Sequence, residues 1–176
     1  FQLDDHYRVV DNPGIQTVWP PWRHFTDPTT MSTLPRIVQY RPLLPLSLSI
    51  SHALTGDSPR SFHYGNVALH LLAVLMGWLF LRELVVHRRV PGGEGVAWLA
   101  AAIFAVHPVS GIAVNYVSAR DLSIMLALLF ASLTAYARMR RKGETPRRWA
   151  AVMSLLGLSL LAKKNGVVAP ALVLVM

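Results

Sequence analysis

The chain has 176 residues, 53% of them apolar and only 15% charged, with a formal net charge of +8 and no cysteine. A soluble domain carries roughly 25% charged residues, and a mean hydropathy of +0.39 argues against both that class and a disordered chain. The missing cysteines exclude a disulfide framework, a thiolate zinc site and a cysteine nucleophile, which leaves a membrane protein whose basic excess has to be located.

Residues 1–64 contain most of the twelve prolines and no apolar run long enough to span a bilayer. They are expected to form an irregular segment outside the bundle. Asp4 and Asp5 open it as adjacent carboxylates, a pair able to split the roles of general base and hydroxyl-positioning group; a solvated loop or helix cap is the structural alternative. From Leu34 to Leu54 the sequence is apolar but broken by Pro35, Pro42 and Pro45. Two readings stand: short helices in the membrane interface, with Trp19 and Trp22 as anchors, or a proline-rich loop packed on the bundle.

A membrane span needs about 20 mostly apolar residues. Residues 65–86 meet this, with His63, Asn66 and His70 on one face at one end; that spacing suits polar contacts inside the bundle better than a metal site. Residues 96–117 meet it too, interrupted by His107-Pro108, where the proline frees a backbone carbonyl and kinks the helix. Residues 121–138 form a third span, beginning at Arg120-Asp121, where Asp121 suits a helix N-terminus. Residues 149–162 make a shorter fourth, and a fifth is expected to start near Val167. Lys163 and Lys164 sit between the last two, where two like charges must face water or an anion. The first residue, Phe1, and the final apolar run VVAPALVLVM are expected of an internal piece of a longer membrane protein.

Charge orients these spans. Arg88 and Arg89 lie in one connection; Arg138, Arg140, Arg141, Lys142, Arg147 and Arg148 lie in or beside another. The positive-inside rule puts residues 87–95 and 138–148 in the cytoplasm and residues 1–64 on the outer, periplasmic or lumenal, side. Anionic lipid and topology account for the basic fringe, so nucleic-acid binding is not expected. The unusual polar residues then gather on the outer face: Asp4, Asp5, His6, His63, His107, Asn115, Arg120, Asp121, Lys163, Lys164 and Asn165. A carboxylate beside membrane-boundary cations fits transfer from a lipid-phosphate sugar, the carboxylate deprotonating an acceptor hydroxyl and the cations stabilising the departing phosphate.

The order of motifs sharpens this expectation. The stretches LDDHYRVVDNP (3–13), YRPLLPLSLSISHAL (40–54), FHYGNVALHLLAVL (62–75), FAVHPVSGIAVNYVSARDL (104–122) and LLAKKNGVVAPALVL (160–174) together resemble the GT-C-fold protein O-mannosyltransferase-like membrane proteins that often carry tetratricopeptide repeats. The resemblance implies an all-α, polytopic transmembrane helical bundle, with residues 1–64 as outer segment and 65–176 as the bundle, in a bacterial inner membrane or an ER-type membrane. It implies inverting transfer of a sugar, typically mannose, from a polyprenyl-phosphate donor to a serine or threonine hydroxyl of a protein acceptor. Asp4 is then similar to the general base and Asp5 to its helper, with His107, Arg120, Lys163 and Lys164 around the donor phosphate. No cofactor or metal is required. Two positions depart from the pattern. Where relatives usually carry an acid after His-Pro-Val and after Ala-Lys, this chain has Ile112 and Lys164. These departures keep a second reading open: a non-catalytic membrane scaffold, one subunit of a larger membrane complex, built on the same fold.

Overall fold

The computed structural model describes residues 5–34 and 39–168. Among them every regular element is helical, as the apolar runs predict. Two helices are long and apolar enough to cross a membrane, or three if a bent pair counts as one span. The chain forms an all-α membrane helical bundle.

The N-terminal segment is made of short turns that lead into helix α1, Leu43–Thr55. A π-helical turn over His6–Val10 comes first, followed by 3-10 turns at Pro13–Ile15 and Pro28–Met31, with a single α-turn at Arg23–Thr26 between them. Asn12 ties the turns together: its amide donates to the Thr30 carbonyl at 3.0 Å while its Oδ1 accepts from Gly14 N at 2.9 Å. Of the prolines within Leu34–Leu54, Pro35 lies outside the described residues; Pro42 and Pro45 fall at the start of α1, where a missing N–H costs no helical hydrogen bond. This part is therefore helical and packed on the bundle. Trp19 and Trp22 are 74% and 58% exposed and meet edge to face at 5.4 Å.

Helix α2 runs from Pro59 to His87. It begins six residues before the expected span because Pro59 sits at the first helical position, a placement its fixed φ favours. Helix α3, Gly93–Val106, starts after Gly92 at φ +68° and stops before Pro108. The chain then turns by 51° into Pro108–Asn115, which includes α4, Gly111–Asn115. The expected single span over 96–117 is thus a straight helix followed by a bent return. Pro108 has no N–H for the Phe104 carbonyl; the Ser110 hydroxyl donates to it instead at 3.0 Å. The Ala105 carbonyl is met by His70 Nε2 at 3.0 Å.

Helix α5 spans Arg120–Lys142 and continues a 3-10 turn over Val117–Ala119. Helix α6, Pro146–Ala162, has 17 residues, about 26 Å at 1.5 Å per residue, which makes it shorter than a full span. Thr145 caps it through Arg148 N at 3.4 Å. The fifth span expected from Val167 onward falls mostly on residues 169–176, outside the described residues. Helix α5 is the central post, packed against α2 and α6, while α3 lies along α2. Small residues let these helices approach. A Cβ on Gly77 would stand 3.3 Å from the Phe130 ring, and the Ser132 hydroxyl donates across to the Val152 carbonyl of α6 at 3.0 Å, a usual membrane-helix contact.

A separate apolar cluster fastens the N-terminal segment to the bundle. Val9, Ile15, Leu44, Leu48, Phe62 and Val117 are buried together. Each such side chain contributes roughly 1.5–3 kcal/mol through burial, so this cluster holds the first turns, α1, α2 and the start of α5 in one arrangement. That arrangement positions the polar site.

Candidate functional site

The site is organised by five consecutive residues, Val117–Asp121, at the junction of the bent return and α5. Val117 anchors them in the apolar cluster of the N-terminal segment. Next to it, Ser118 N donates to Asp5 Oδ1 at 2.9 Å, and Asp5 is fully buried. Asp5 thus accepts a backbone N–H from a residue 113 positions away and joins the start of the described chain to the start of α5. Asp4 lies outside the described residues.

Arg120 is 1% exposed. Its Nε donates to Asn66 Oδ1 at 2.7 Å, Nη1 to the Ser47 carbonyl and the Ser51 hydroxyl at 2.9 Å each, and Nη2 to the Phe62 carbonyl at 2.8 Å. The guanidinium also lies over the Phe62 ring, 5.9 Å from its centroid. A buried charge needs this many partners, because removal from water costs several kcal/mol. The fit depends on Gly65: a Cβ there would stand 2.7 Å from Arg120 Nη2. On its other side, Asn66 donates to the carbonyls of Ala113, Val114 and Tyr116 at 3.3, 3.2 and 3.1 Å. Those are carbonyls at the C-terminal end of α4, which the helix itself leaves unpaired. Asn66 therefore links Arg120 to the bent return in a single side chain.

Asp121 is fully buried between two cations. Arg41 Nη1 pairs with Oδ2, and Lys163 Nζ stands 3.3 Å from Oδ1. The Arg41 and Lys163 side chains are 15% and 17% exposed, and Gln39 accepts from the second Arg41 terminal nitrogen. The carboxylate makes no cap at α5; instead it binds the loop before α1 and the end of α6 to α5. The local charge is one carboxylate against two cations, with a third, Arg120, adjacent in sequence.

The remaining expected residues lie elsewhere. His107 is exposed at the bend, where its Nδ1 accepts from Val109 N at 3.2 Å. Lys164 is exposed and begins a 3-10 turn, Lys164–Val167. Neither has a hydrogen bond to the Asp5–Arg120–Asp121–Lys163 group among the described residues. His70 and Asn66 are buried and make the intrabundle polar contacts their spacing predicts; His63 is half-buried. No group of three or more His, Asp or Glu side chains among the described residues has the geometry to hold a metal ion.

Sequence reasoning missed two participants. Arg41 stands in the YRPLLPL stretch as an ordinary loop cation, and only folding brings it to Asp121, 80 residues away. Asn66 as the hub between Arg120 and the bent return carried no signal beyond its place on a polar face.

This site lies in a chain with clear relatives. It is 30% identical over 147 residues to human protein O-mannosyl-transferase TMTC1, covering 81% of this chain and 16% of the relative. The chain belongs to the TMTC-like protein O-mannosyl-transferase family. Human protein O-mannosyl-transferase TMTC4 is 30% identical across 95% of this chain and 25% of its own length. The mouse TMTC2 enzyme is 29% identical across 95% of this chain and 20% of its own length. The chain therefore spans about a sixth to a quarter of the relatives it matches. No family model matches it, and no solved structure matches it significantly.

Proposed function

We propose that this chain forms the outer-end catalytic portion of a membrane protein O-mannosyl-transferase that moves mannose from a polyprenyl-phosphate donor to a serine or threonine hydroxyl of a protein acceptor. The observation that carries the reading is the joining of Asp5 to the Arg41–Asp121–Lys163 charge group through the single segment Ser118–Asp121. It brings a held carboxylate and partly exposed cations to one end of an apolar bundle. The names of the relatives, all protein O-mannosyl-transferases, support the sugar and the protein acceptor.

In this reading Asp4 accepts the hydroxyl proton as the acceptor oxygen attacks the anomeric carbon from the face opposite the phosphate. The carbon–oxygen bond to phosphate breaks, and its electron pair leaves with the polyprenyl phosphate. Asp5, fixed by Ser118 N, orients the neighbouring carboxylate and the acceptor hydroxyl. Lys163 offers its remaining N–H donors to the leaving phosphate, with His107 and Lys164 reaching it from the exposed rim. Arg120 acts through its neighbours: with its donors directed at Asn66, Ser47, Ser51 and Phe62, it sets the shape of the site. The positive-inside pattern supports a lumenal or periplasmic position for this end, because the basic connections lie at the opposite end of the helices.

The test is reconstitution of the complete protein with polyprenyl-phosphate mannose and a serine- or threonine-containing acceptor. Replacing both Asp4→Asn and Asp5→Asn is expected to reduce transfer by roughly 100-fold or more, the usual contribution of general base catalysis. Unchanged transfer refutes the assigned roles. The second reading, a non-catalytic scaffold, is favoured by exposed Ile112 and Lys164 at positions where relatives usually carry acids. It predicts stoichiometric co-purification with other membrane subunits and no bound donor lipid.

A further inference from the structure

At the end of the bundle opposite the proposed catalytic site, a cleft of about 170 Å³ is lined by Glu83, Leu84, His87 and Arg88 of α2 and its C-terminal end and by Tyr136, Ala137 and Arg140 of α5. Its single carboxylate is already neutralised: Arg138 Nε donates to Glu83 Oε1 at 2.6 Å and Arg141 Nη2 to Oε2 at 3.1 Å. Arg140 pairs with Glu144 four residues on in sequence, at 2.7 Å and largely exposed, an exchangeable contact worth a few tenths of a kcal/mol. Arg88 and His87 are exposed at the rim. The cleft thus combines the cations Arg88 and Arg140 with the apolar side chains Leu84 and Ala137 in its lining.

Its depth relative to a bilayer is marked by aromatic side chains. Tyr136 meets Trp149 edge to face at 6.2 Å, and Trp98, 60% exposed, meets Trp78 at 4.6 Å near the same end. Exposed Trp and Tyr collect at headgroup level. A basic cleft between two spanning helices at that level matches the chemistry of an anionic phospholipid headgroup.

We propose that this cleft is a specific site for an anionic phospholipid, its phosphate held by Arg88 and Arg140 with His87 at the rim and its glycerol and first methylenes over Leu84 and Ala137. The site is independent of the reaction assigned to the other end. It differs from a general basic fringe because Arg147, equally cationic and exposed, lines none of it.

Native mass spectrometry of the full-length protein, exchanged into detergent with phosphatidylserine or phosphatidylcholine, tests the site. Phosphatidylserine is expected to remain bound where phosphatidylcholine does not. The double variant Arg88→Gln with Arg140→Gln should weaken retention roughly 30-fold, from two basic groups near the membrane surface. The Arg147→Gln variant should change it less than about 2-fold, and Arg88→Lys with Arg140→Lys should restore most of it and certify the fold. Equal retention of both lipids, or equal loss in Arg147→Gln, overturns the proposal. Displacement of the lipid by inorganic phosphate at matched concentration overturns it as well, since the cleft would then bind a free anion.

Discussion

Replacing Asp121 with asparagine tests the physical account of the site most directly. The substitution keeps the shape but leaves Arg41 and Lys163 facing each other across a neutral amide. At 3.3 Å and an effective dielectric near 20, the Lys163–Asp121 attraction alone is about 5 kcal/mol before desolvation. Removing the carboxylate also removes its own burial cost, and both cations are about one-sixth exposed and can partly rehydrate. Breaking one side of a buried pair costs about 3–5 kcal/mol, and these offsets put the expected loss at the lower end, about 3 kcal/mol. That loss falls on the contact between the N-terminal segment and α5, so it should appear as local opening. Limited proteolysis reads it: where closing is faster than cleavage, the cutting rate follows the open population. Cleavage of the segment before α2 should therefore rise by roughly 100-fold, while α2 and α5 remain resistant. Adding Arg41→Gln and Lys163→Met to Asp121→Asn should recover much of the resistance, because a fully replaced ion cluster leaves no unpaired charge. An increase under about 5-fold, or no recovery in the triple variant, would refute the argument that Asp121 clamps the segment.

Other outcomes follow from the same geometry. Asn66→Leu removes the acceptor for Arg120 Nε and three carbonyl contacts; leaving buried polar groups unpaired at about 1–3 kcal/mol each, it should cost about 3 kcal/mol or more in detergent thermal unfolding. Gly65→Ala should cost about 1–3 kcal/mol, the usual overpacking penalty, because its Cβ would displace Arg120 Nη2; an unchanged melting temperature would show that Arg120 can move freely. His24 is held below its ordinary value of 6.5, mainly by burial and secondly by the neighbouring Arg23 charge. The unfolded segment then binds the proton more readily, so the stability His24 contributes is complete above pH 6.5 and lost as pH falls below it. Proteolysis of the N-terminal segment should accelerate between pH 7 and 5 in the wild-type chain and less so in His24→Gln, whose side chain does not titrate.

The helical character of the chain, its membrane class and the presence of its long spans were legible in the residues, because an apolar run near 20 residues is itself the physical requirement for crossing a bilayer. The break at His107-Pro108 was equally legible, since a missing N–H acts wherever it occurs. How the chain continues past that break was not. The 51° return and its fastening by Asn66 depend on a side chain 50 residues earlier.

The charged residues divide along the same line. Sequence alone identified Asp5, Arg120 and Lys163 as candidates because buried or boundary charges are costly and therefore rarely incidental. It placed His107 and Lys164 with them, yet these remain on the exposed rim, since proximity in the spans' polar ends does not specify the direction a side chain takes. Only the tertiary structure decided that Arg120 is spent on holding α1 to α2, that Asp121 clamps rather than caps, and that Arg41 is its partner. Each of those contacts joins residues more than 40 positions apart, and local periodicity carries no information at that range.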